Sequence, residues 1–285
     1  MRGHMENTII PDVLYHYTRL ENLQNIIRKG KDGAELVFWL THFRQMDDPS
    51  EGKVLEDTIK EVVPDFNLRN IPDTYILSMC GNVDNLPMWR EYADNAQGIA
   101  IALDRQMIEC NNKDVRRAIL KCEYDKSKTL NAIKERLRET NKKYEDGSWI
   151  EEEHRVANFD RFPELKGRPE NKSILRYLDV RKYFNELIAF KDCHYYYENE
   201  YRLPIIEGYY AERQNYRVKN KRVIEYREYH IDIESLKGVY VGVNNKFAEE
   251  VVQTIRRYIN GLNLLHNVNI DIIELPYRTN YFNYE

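Results

Sequence analysis

Short apolar segments typical of buried strands are the feature that most constrains what this chain can fold into. Residues Thr74 to Cys80 are apolar and β-branched, and Gly98 to Asp104 form a nearly continuous apolar run, which predicts a central strand. Helical patterns lie between such segments, but they do not follow every strand in the regular order of a doubly wound protein. The sequence therefore predicts an α+β fold.

The other predicted elements are spread over the whole chain. Further strands are predicted at Val13 to Tyr17, Leu36 to Thr41, Ala118 to Tyr124, Tyr195 to Ile206, Arg222 to Ile233, Val239 to Val243 and Val268 to Leu275. The first predicted helix starts at a capping box formed by Thr18 and Glu21 and stops at Gly30. Further helices are predicted to begin after the Asp47 to Glu51 loop and after Pro87, and to span Leu175 to Phe190 and Phe247 to Leu262.

A charged segment from about residue 126 to residue 181 differs from the rest of the chain. It is helical in pattern, short of large aliphatic residues and interrupted by glycines and prolines. Because it has too little apolar surface to form a core of its own, we expect it to be a helical insert within one domain that spans residues 6–285. The residues before this domain, Met-Arg-Gly-His-Met, resemble the remnant of an expression tag.

Composition and cysteine usage limit the class of protein. Hydrophobic residues make up 42% of the chain and charged residues 32%, and no apolar run approaches the roughly 20 residues that a membrane span needs. The four cysteines, at positions 80, 110, 122 and 193, form no CxxC pair. We therefore expect a cytoplasmic protein with reduced thiols and no metal site.

Charge alone does not decide whether the protein contacts nucleic acid. The net charge of -4 argues against a chain that is coated by nucleic acid. Two stretches are nevertheless basic, Arg116 to Lys143 and Arg213 to Arg227, and tyrosines accompany the second at positions 209, 210, 216 and 226. Such stretches are typical of solvated surfaces, and they are also typical of grooves that bind single-stranded nucleic acid.

Three short motifs could carry chemistry. His16 ends a predicted strand in LYHYT, and Tyr92 lies one helical turn after Met88 in PMWREY. Glu198 and Glu200 in YYYENEYR are predicted to share one face of a strand, about 7 Å apart. One carboxylate of such a pair could stabilise a developing positive charge while the other transfers a proton. Each motif also has a structural interpretation: a hydrogen-bonding histidine, core packing and a solvated strand face.

Together, several motifs resemble a known bacterial family. LYHYT, the following LxxIIxxG, DDPSE, PMWxxYA with GIAIALD, and YExEYRL resemble the family catalogued as domain of unknown function 2971, over about Val13 to Leu275. That family is in turn similar to the ADP-ribosyltransferase superfamily, in its His-Tyr-Glu class. This resemblance implies an ADP-ribosyltransferase-like fold, with split mixed or antiparallel β-sheets flanked by helices. The positions that match the class are His16, Tyr92 and the Glu198-Asn199-Glu200 stretch.

The resemblance implies that NAD is the substrate. It implies that Glu200 stabilises the oxocarbenium-like centre formed when nicotinamide leaves, and that Glu198 faces the acceptor. By the same resemblance, His16 would bind the adenosine ribose and Tyr92 would stack on nicotinamide. The remaining candidate cofactor contacts are Tyr17, Thr18, Ser78 and Arg202.

We therefore expect an NAD-dependent ADP-ribosyltransferase that modifies a macromolecule, RNA or single-stranded DNA before protein, and acts as a bacterial toxin or antiphage effector with a silencing partner. One alternative is a non-catalytic module that binds nucleotides or nucleic acid. Another is a metal-dependent nuclease built on Asp47, Asp48 and Glu51 with Glu198 and Glu200, although Asp47 to Glu51 is also good turn and cap chemistry.

Overall fold

The computed structural model describes residues 10–48, 50–67, 69, 71–110, 119–125, 129–155, 166–206, 215–219, 221–264 and 268–275. The strands among these residues are β1 (Val13–Thr18), β2 (Ile27–Lys29), β3 (Ala34–His42), β4 (Thr74–Cys80), β5 (Ile99–Asp104), β6 (Leu120–Lys121), β7 (Glu200–Ile206), β8 (Asn215–Lys219), β9 (Arg222–Ile231), β10 (Leu236–Val241) and β11 (Asn269–Ile272). The α-helices among them are α1 (Leu23–Ile26), α2 (Ser50–Val62), α3 (Leu86–Glu91), α4 (Arg105–Cys110), α5 (Asn131–Asp146), α6 (Pro169–Arg181), α7 (Phe184–Ile188) and α8 (Ala248–Gly261).

The strands join into one mixed, open sheet. Eight of them follow one another in the order β11-β10-β5-β1-β4-β3-β9-β8, while β2 pairs with β3, β7 with β4 and β6 with β7. The β10–β11 pair is parallel, and the other pairs between described strands are antiparallel. The α+β class and the largely antiparallel sheet flanked by helices are therefore confirmed.

The sheet divides at β4. One edge of β4 pairs with β7 along its whole length, from Thr74 opposite Ile206 to Cys80 opposite Glu200. On the other edge, β1 pairs with β4 at Cys80 and β3 pairs with it at the opposite end, near Tyr75. Between these two contacts β1 and β3 diverge, and the main-chain carbonyl of Ser78 accepts a side-chain hydrogen bond there instead of a strand partner.

The two faces of the sheet carry different cores, because successive side chains of a strand point to opposite faces. What we call the first face holds Leu14 of β1 and Ile101 of β5, which pack with helix α8 in one large apolar cluster. The second face holds Tyr17 and Cys80, which pack with Trp89 of helix α3 in another cluster. The position of a side chain along a strand thus determines which of the two faces it lies on.

The charged insert packs against the second face. Ile133 and Leu137 of α5 join Ile59 of α2, Ile76 of β4 and Phe184 of α7 in a single buried cluster. These residues are apolar at helical spacing on otherwise charged helices, so each helix has one side that can be removed from water. The insert therefore shares a core with helix α2. None of the described helices combines the length and the apolar character that crossing a membrane requires.

The predicted first helix is wrong in extent. It was expected to run to Gly30, but α1 ends at Ile26 and Ile27–Lys29 forms a hairpin with β3. The capping box is also wrong, because the Thr18 hydroxyl accepts from the Asn22 side chain and the following 3-10 helix has no side-chain cap. Pairing with β3 outweighs the helical pattern at the β-branched Ile27 and at the two residues that follow it.

Other boundaries differ because long-range packing is not visible in a local pattern. The expected strand from Ala118 to Tyr124 is reduced to the two residues of β6, and the expected helix from Leu175 to Phe190 is broken between α6 and α7. Strand β8 was not predicted. The predicted tyrosines at 209 and 210, and Arg116 and Arg213 in the basic stretches, lie outside the described residues.

Candidate active site

The candidate site lies where β7 begins, beside the end of β4. A 3-10 helix, Cys193–Glu198, leads into β7 and starts at Asp192, whose side chain accepts a hydrogen bond from the main-chain N–H of His194. Asn199 then takes the left-handed conformation, with φ of 44°. Asparagine tolerates this conformation better than most residues. Asn199 is thus the point at which the chain changes from helix to strand.

This kink corrects the sequence prediction for the glutamate pair. Tyr195 to Ile206 was expected to be one strand with Glu198 and Glu200 on the same face. Instead Glu198 ends the 3-10 helix and Glu200 opens β7, yet both residues are only 2% exposed. The turn at Asn199, and not strand alternation, brings the two carboxylates together.

Lys191 joins the two carboxylates. Its ammonium group donates to Glu198 Oε2 and, at 3.0 Å, to Glu200 Oε2. Lys191 is 4% exposed, and a buried lysine is rare unless it is paired. The sequence analysis missed this residue, although its place directly after the apolar pair Ala189-Phe190 is a signal that it is buried. We call Lys191, Glu198, Glu200, Arg202 and Tyr92 the carboxylate cluster.

Arg202 holds the other side of Glu200. Its Nε and Nη2 donate to Glu200 Oε1 and Oε2, each at 2.9 Å, and its Nη1 donates to the carbonyl of Ile188 at 2.6 Å. The Ser78 side chain lies close enough to Glu200 to help lower its pKa, and the Glu200 main-chain N–H donates to Tyr124 Oη at 2.8 Å. A forked arginine–carboxylate contact fixes both distance and orientation, so Glu200 is held in a single position.

Tyr92 reaches the cluster from helix α3. Its hydroxyl donates to Glu198 Oε1 at 2.9 Å, and Tyr92 is the residue that caps the C-terminus of α3. At the other end of the helix, the Asn85 side chain accepts from Met88 N–H and donates to the carbonyl of Tyr197 at 2.6 Å. Helix α3 and the 3-10 helix are therefore tied together at Asn85 and again at Tyr92.

The environment shifts the two carboxyl groups in opposite directions. Burial raises the pKa of Glu198, and the charge of Lys191 opposes this only in part. Burial would also raise the pKa of Glu200, but the charges of Arg202 and Lys191 outweigh it and hold this pKa below its ordinary value. Burial and the neighbouring Glu198 raise the pKa of Tyr92, so its phenol stays a donor. Glu200 is thus the permanent anion of the pair, and Glu198 is the carboxyl that takes up a proton more readily.

A cavity of about 470 Å³ lies next to this cluster, lined by Asp48, Asp192, His194, Tyr195 and Tyr197. Lys191 Nζ is 4.9 Å from the centre of the Tyr195 ring. Burial raises the pKa of Tyr197, and the charge of Glu198 raises it further. The two tyrosines therefore line the cavity and lie beside the carboxylate cluster. Two aspartates and two aromatic rings favour a ligand group that is cationic and flat.

The structure does not bring His16 into this cluster. His16 alternates with Tyr15 and Tyr17 on β1, and its ring packs edge-on against Phe38 of the first face, 5.1 Å between centroids. Its Nδ1 lies 3.0 Å from the Ser78 carbonyl in the split of the sheet. His16 therefore contacts the main chain of a residue whose side chain contacts Glu200, and the predicted convergence of His16 with Tyr92 and Glu200 is absent from this structure.

The other predicted cofactor contacts divide between cluster and core. Ser78 and Arg202 contact Glu200 directly. Tyr17 instead packs edge-on against Trp89 and donates to the Asn82 carbonyl at 2.7 Å, while Thr18 is buried. Five of the predicted site residues are thus gathered in one place: Tyr92, Glu198, Glu200, Ser78 and Arg202.

Within the described part of the chain, no group of three or more potential metal ligands includes Glu198. Among the residues that the structure describes, one group has metal-ligand geometry, Asp192, Cys193 and His194, whose ligand atoms lie within 4.8 Å of one another. The sequence analysis missed this group. Cys193 and His194 are exposed, and the hydrogen bonds of Asp192 account for the arrangement as a helix cap. Asp48 lies on the cavity wall, and the Glu51 side chain lies outside the described residues.

Comparison with known proteins gives one match. A search of curated proteins and a search of solved structures both found no similar protein. Residues 88–203 match the model of a family described as "Protein of unknown function (DUF2971)". The matched region contains Tyr92, Lys191, Glu198, Glu200 and Arg202, so the resemblance to this family of unknown function is supported over the segment that forms the carboxylate cluster.

Proposed function

We propose that the protein is an NAD-dependent ADP-ribosyltransferase that modifies a macromolecule, with nucleic acid favoured over protein. The observation that carries the proposal is the carboxylate cluster itself: two buried carboxylates that share Lys191, have pKa values shifted apart and lie beside a tyrosine-lined cavity. Carboxyl groups whose environments separate their pKa values are suited to different roles in one reaction.

The proposed chemistry assigns one role to each carboxylate. When the bond between nicotinamide and the ribose C1′ breaks, nicotinamide leaves with the bonding electrons and C1′ becomes oxocarbenium-like. Glu200, which Arg202 and Lys191 keep ionised, stabilises that positive charge. A hydroxyl or amine of the acceptor then bonds to C1′, and Glu198 accepts the proton that the acceptor loses.

The cavity supports NAD as the substrate. The nicotinamide ring of NAD is a flat cation, and Tyr195 and Tyr197 offer aromatic faces beside the acidic groups of Asp48 and Asp192. Because both glutamates are only 2% exposed, substrate entry in this scheme displaces the Tyr195 ring from Lys191. The NAD contacts expected of His16, Tyr17 and Thr18 remain predictions and are not used here. A role as a toxin or antiphage effector with a silencing partner also remains a prediction.

The same contacts favour a second candidate, a non-catalytic binding module on this scaffold. Both carboxylates have hydrogen-bond partners on each oxygen, and removing one partner of a buried charge network leaves uncompensated charge. A cluster of this kind also serves to hold β7, α3 and the 3-10 helix in place. The two candidates differ in whether NAD is consumed.

Nicotinamide release from NAD in the presence of cell extract tests the proposal. Wild-type protein is expected to release nicotinamide, and Glu200→Gln is expected to lose roughly 100-fold or more of that rate because an isosteric amide cannot stabilise the cation. Glu186→Gln is the matched control, since Glu186 pairs with Arg136 on the exposed side of the insert. Circular dichroism shows whether each variant is folded.

The outcomes separate the candidate functions. Equal release by wild type and a folded Glu200→Gln removes the transferase proposal. NAD binding without turnover in either protein supports the binding module. Nucleic-acid cleavage that EDTA abolishes and that does not require NAD supports the nuclease.

A further inference from the structure

Two aromatic side chains form a stacked pair on the second face, at the end of the sheet where β3, β9 and β8 lie. The rings of Trp39 on β3 and Tyr226 on β9 have centroids 4.6 Å apart and planes inclined by 32°. They are diagonal neighbours, because Trp39 lies opposite Glu228 and Thr41 lies opposite Tyr226. Both side chains are half-buried, so part of each ring is open to solvent.

Arg217 of β8 completes what we call the aromatic platform, Trp39, Tyr226 and Arg217. Its guanidinium carbon lies 5.8 Å from the Trp39 ring and 5.7 Å from the Tyr226 ring, and its Nη2 donates to Thr41 Oγ1 at 2.9 Å. These contacts fix the position of the guanidinium group. Together with the rings, they give a cation and two π-faces at one place on the sheet.

Arg217 forms no salt bridge among the described residues, although the charge of Asp47 acts on it from a longer distance. Its Nε is buried without a hydrogen-bond partner, and among the described residues no carboxylate oxygen lies within 4.0 Å of it. Arg136 makes a useful comparison, since it also lies over a tyrosine, Tyr183, but forms a forked salt bridge with Glu186. A desolvated guanidinium with a spare donor has capacity to bind an anion.

Two further basic residues lie near the aromatic platform. Lys221, in the turn before β9, and Arg222, the first residue of β9, are both exposed. Strand β8 is the last strand in the sheet order of the described residues, so an extended ligand can approach the platform from the side. The open edge therefore combines basic groups with aromatic faces.

The platform is close to the cavity beside the carboxylate cluster. Asp47 lies near enough to Arg217 to act on its guanidinium electrostatically, and the next residue, Asp48, lines the cavity. Consecutive Cα atoms are about 3.8 Å apart, so the two aspartates bridge the platform and the cavity. A chain molecule bound on the platform would reach the cavity mouth.

We infer that the aromatic platform binds single-stranded nucleic acid, with a base stacked on Trp39 and Tyr226 and a phosphate held by Arg217. Every base has a π-face, and a fixed guanidinium binds phosphate oxygens. This inference rests on the proposed function in that it names the acceptor class of the transferase. Binding itself requires no NAD, so the two ideas can fail separately.

Tryptophan fluorescence tests base stacking directly. Of the three tryptophans, Trp89 and Trp149 are buried, so Trp39 is the one that a base can reach. Adding a 12-nucleotide RNA or the DNA of the same sequence is expected to quench the fluorescence of the wild-type protein. Trp39→Phe is expected to abolish the quench while it retains binding by anisotropy, since phenylalanine still stacks. A quench that persists in Trp39→Phe would overturn the inference.

Salt dependence tests the phosphate contact. Arg217→Gln is expected to weaken binding on the order of 10-fold and to reduce the slope of log affinity against log salt by about 0.7, the value for one phosphate contact on a single strand. Arg136→Gln, which removes a salt-bridged arginine from a comparable position over a tyrosine, is the matched control and is expected to bind like wild type.

Three outcomes would reject or retain the inference. Equal affinity of Arg217→Gln and Arg136→Gln rejects it. Burial of Trp39 through self-association without oligonucleotide binding, measured by light scattering, also rejects it and identifies an interface between protein copies. Oligonucleotide binding without NAD turnover retains the platform and removes the transferase.

Discussion

The second partner of each carboxylate determines how the two glutamates differ. Lys191 donates to both carboxylates, but Glu200 has the additional charge of Arg202, whereas Glu198 has the neutral phenol of Tyr92. The same degree of burial therefore leaves the pKa of Glu198 raised and that of Glu200 lowered. The second partner of each carboxylate therefore decides which of the two is suited to remain an anion and which is suited to accept a proton.

The pKa shifts predict opposite effects of pH on stability. A raised pKa means that folded Glu198 binds a proton more tightly than unfolded Glu198, so its contribution to stability is present at low pH and is lost as pH rises above about 4.5. Relative to Glu198→Gln, the free energy of unfolding of the wild type is expected to fall as pH rises through this range. Urea denaturation from about pH 2.5 to pH 8 measures the difference.

Glu200→Gln supplies the comparison, because the lowered pKa of Glu200 makes its contribution to stability present above about pH 4.5 and lost as pH falls below that value. Relative to Glu200→Gln, the wild type should therefore lose stability on acidification. Parallel pH dependences for the two variants would contradict the assignment of the two carboxylates.

Most residues of the carboxylate cluster could be predicted from the sequence, but their arrangement could not. Glu198 and Glu200 could be selected because two like charges in a strand demand an explanation, and Tyr92 because of its helical spacing from Met88. Lys191 was missed, since a lone lysine before Asp192 is ordinary on a surface and the apolar pair before it is only a weak signal of burial. The left-handed turn at Asn199 was also invisible, because asparagine is common in many conformations.

Among the elements, the turn after α3 positions Tyr92 through unusual backbone. Asp94, Asn95 and Ala96 all have positive φ, and the carbonyls of Asn95 and Ala96 accept hydrogen bonds from Asn244. Three consecutive left-handed residues cost on the order of 1–2 kcal/mol each, which the surrounding contacts must offset.

Gly98 ends this turn and is expected to tolerate no side chain. A Cβ there would lie 2.4 Å from the Thr18 carbonyl oxygen and 3.0 Å from that of Ala93, and both are main-chain atoms. Gly98→Ala is therefore expected to lower the free energy of unfolding by about 1–3 kcal/mol, measured by urea denaturation. Gly261→Ala is the control, because no atom lies within 4 Å of the added Cβ; a comparable loss in both variants would show that close contact is not the cause.

The elements that could be predicted are those with a strong local signal. The strands Thr74–Cys80 and Ile99–Asp104 and the helix α8 agree with the predicted positions within a residue or so. Ile27–Lys29 shows why others could not, since its residues fit a helix locally and become a strand only through pairing with β3. Strand β8 likewise depends on its partner β9.

For the whole molecule, the insert and the sheet share a core. Ile133 lies in the insert and Ile59 in α2, and both are completely buried in one cluster. Ile133→Ala and Ile59→Ala are each expected to lower the stability by about 2–5 kcal/mol and to shift one common unfolding transition. Differential scanning calorimetry measures this, and a separate transition that responds to Ile133→Ala alone would show that the insert folds independently.

The division of the sheet at β4 could not be predicted from the sequence, because it depends on which distant strands compete for one edge. Ser78 lies at this division, with its carbonyl bound by His16 from the first face and its side chain beside Glu200 on the second. A mutational scan would therefore find His16 sensitive even if no ligand ever touches it. Measuring NAD affinity separately from turnover in a His16→Ala protein is what distinguishes a displaced backbone from a lost substrate contact.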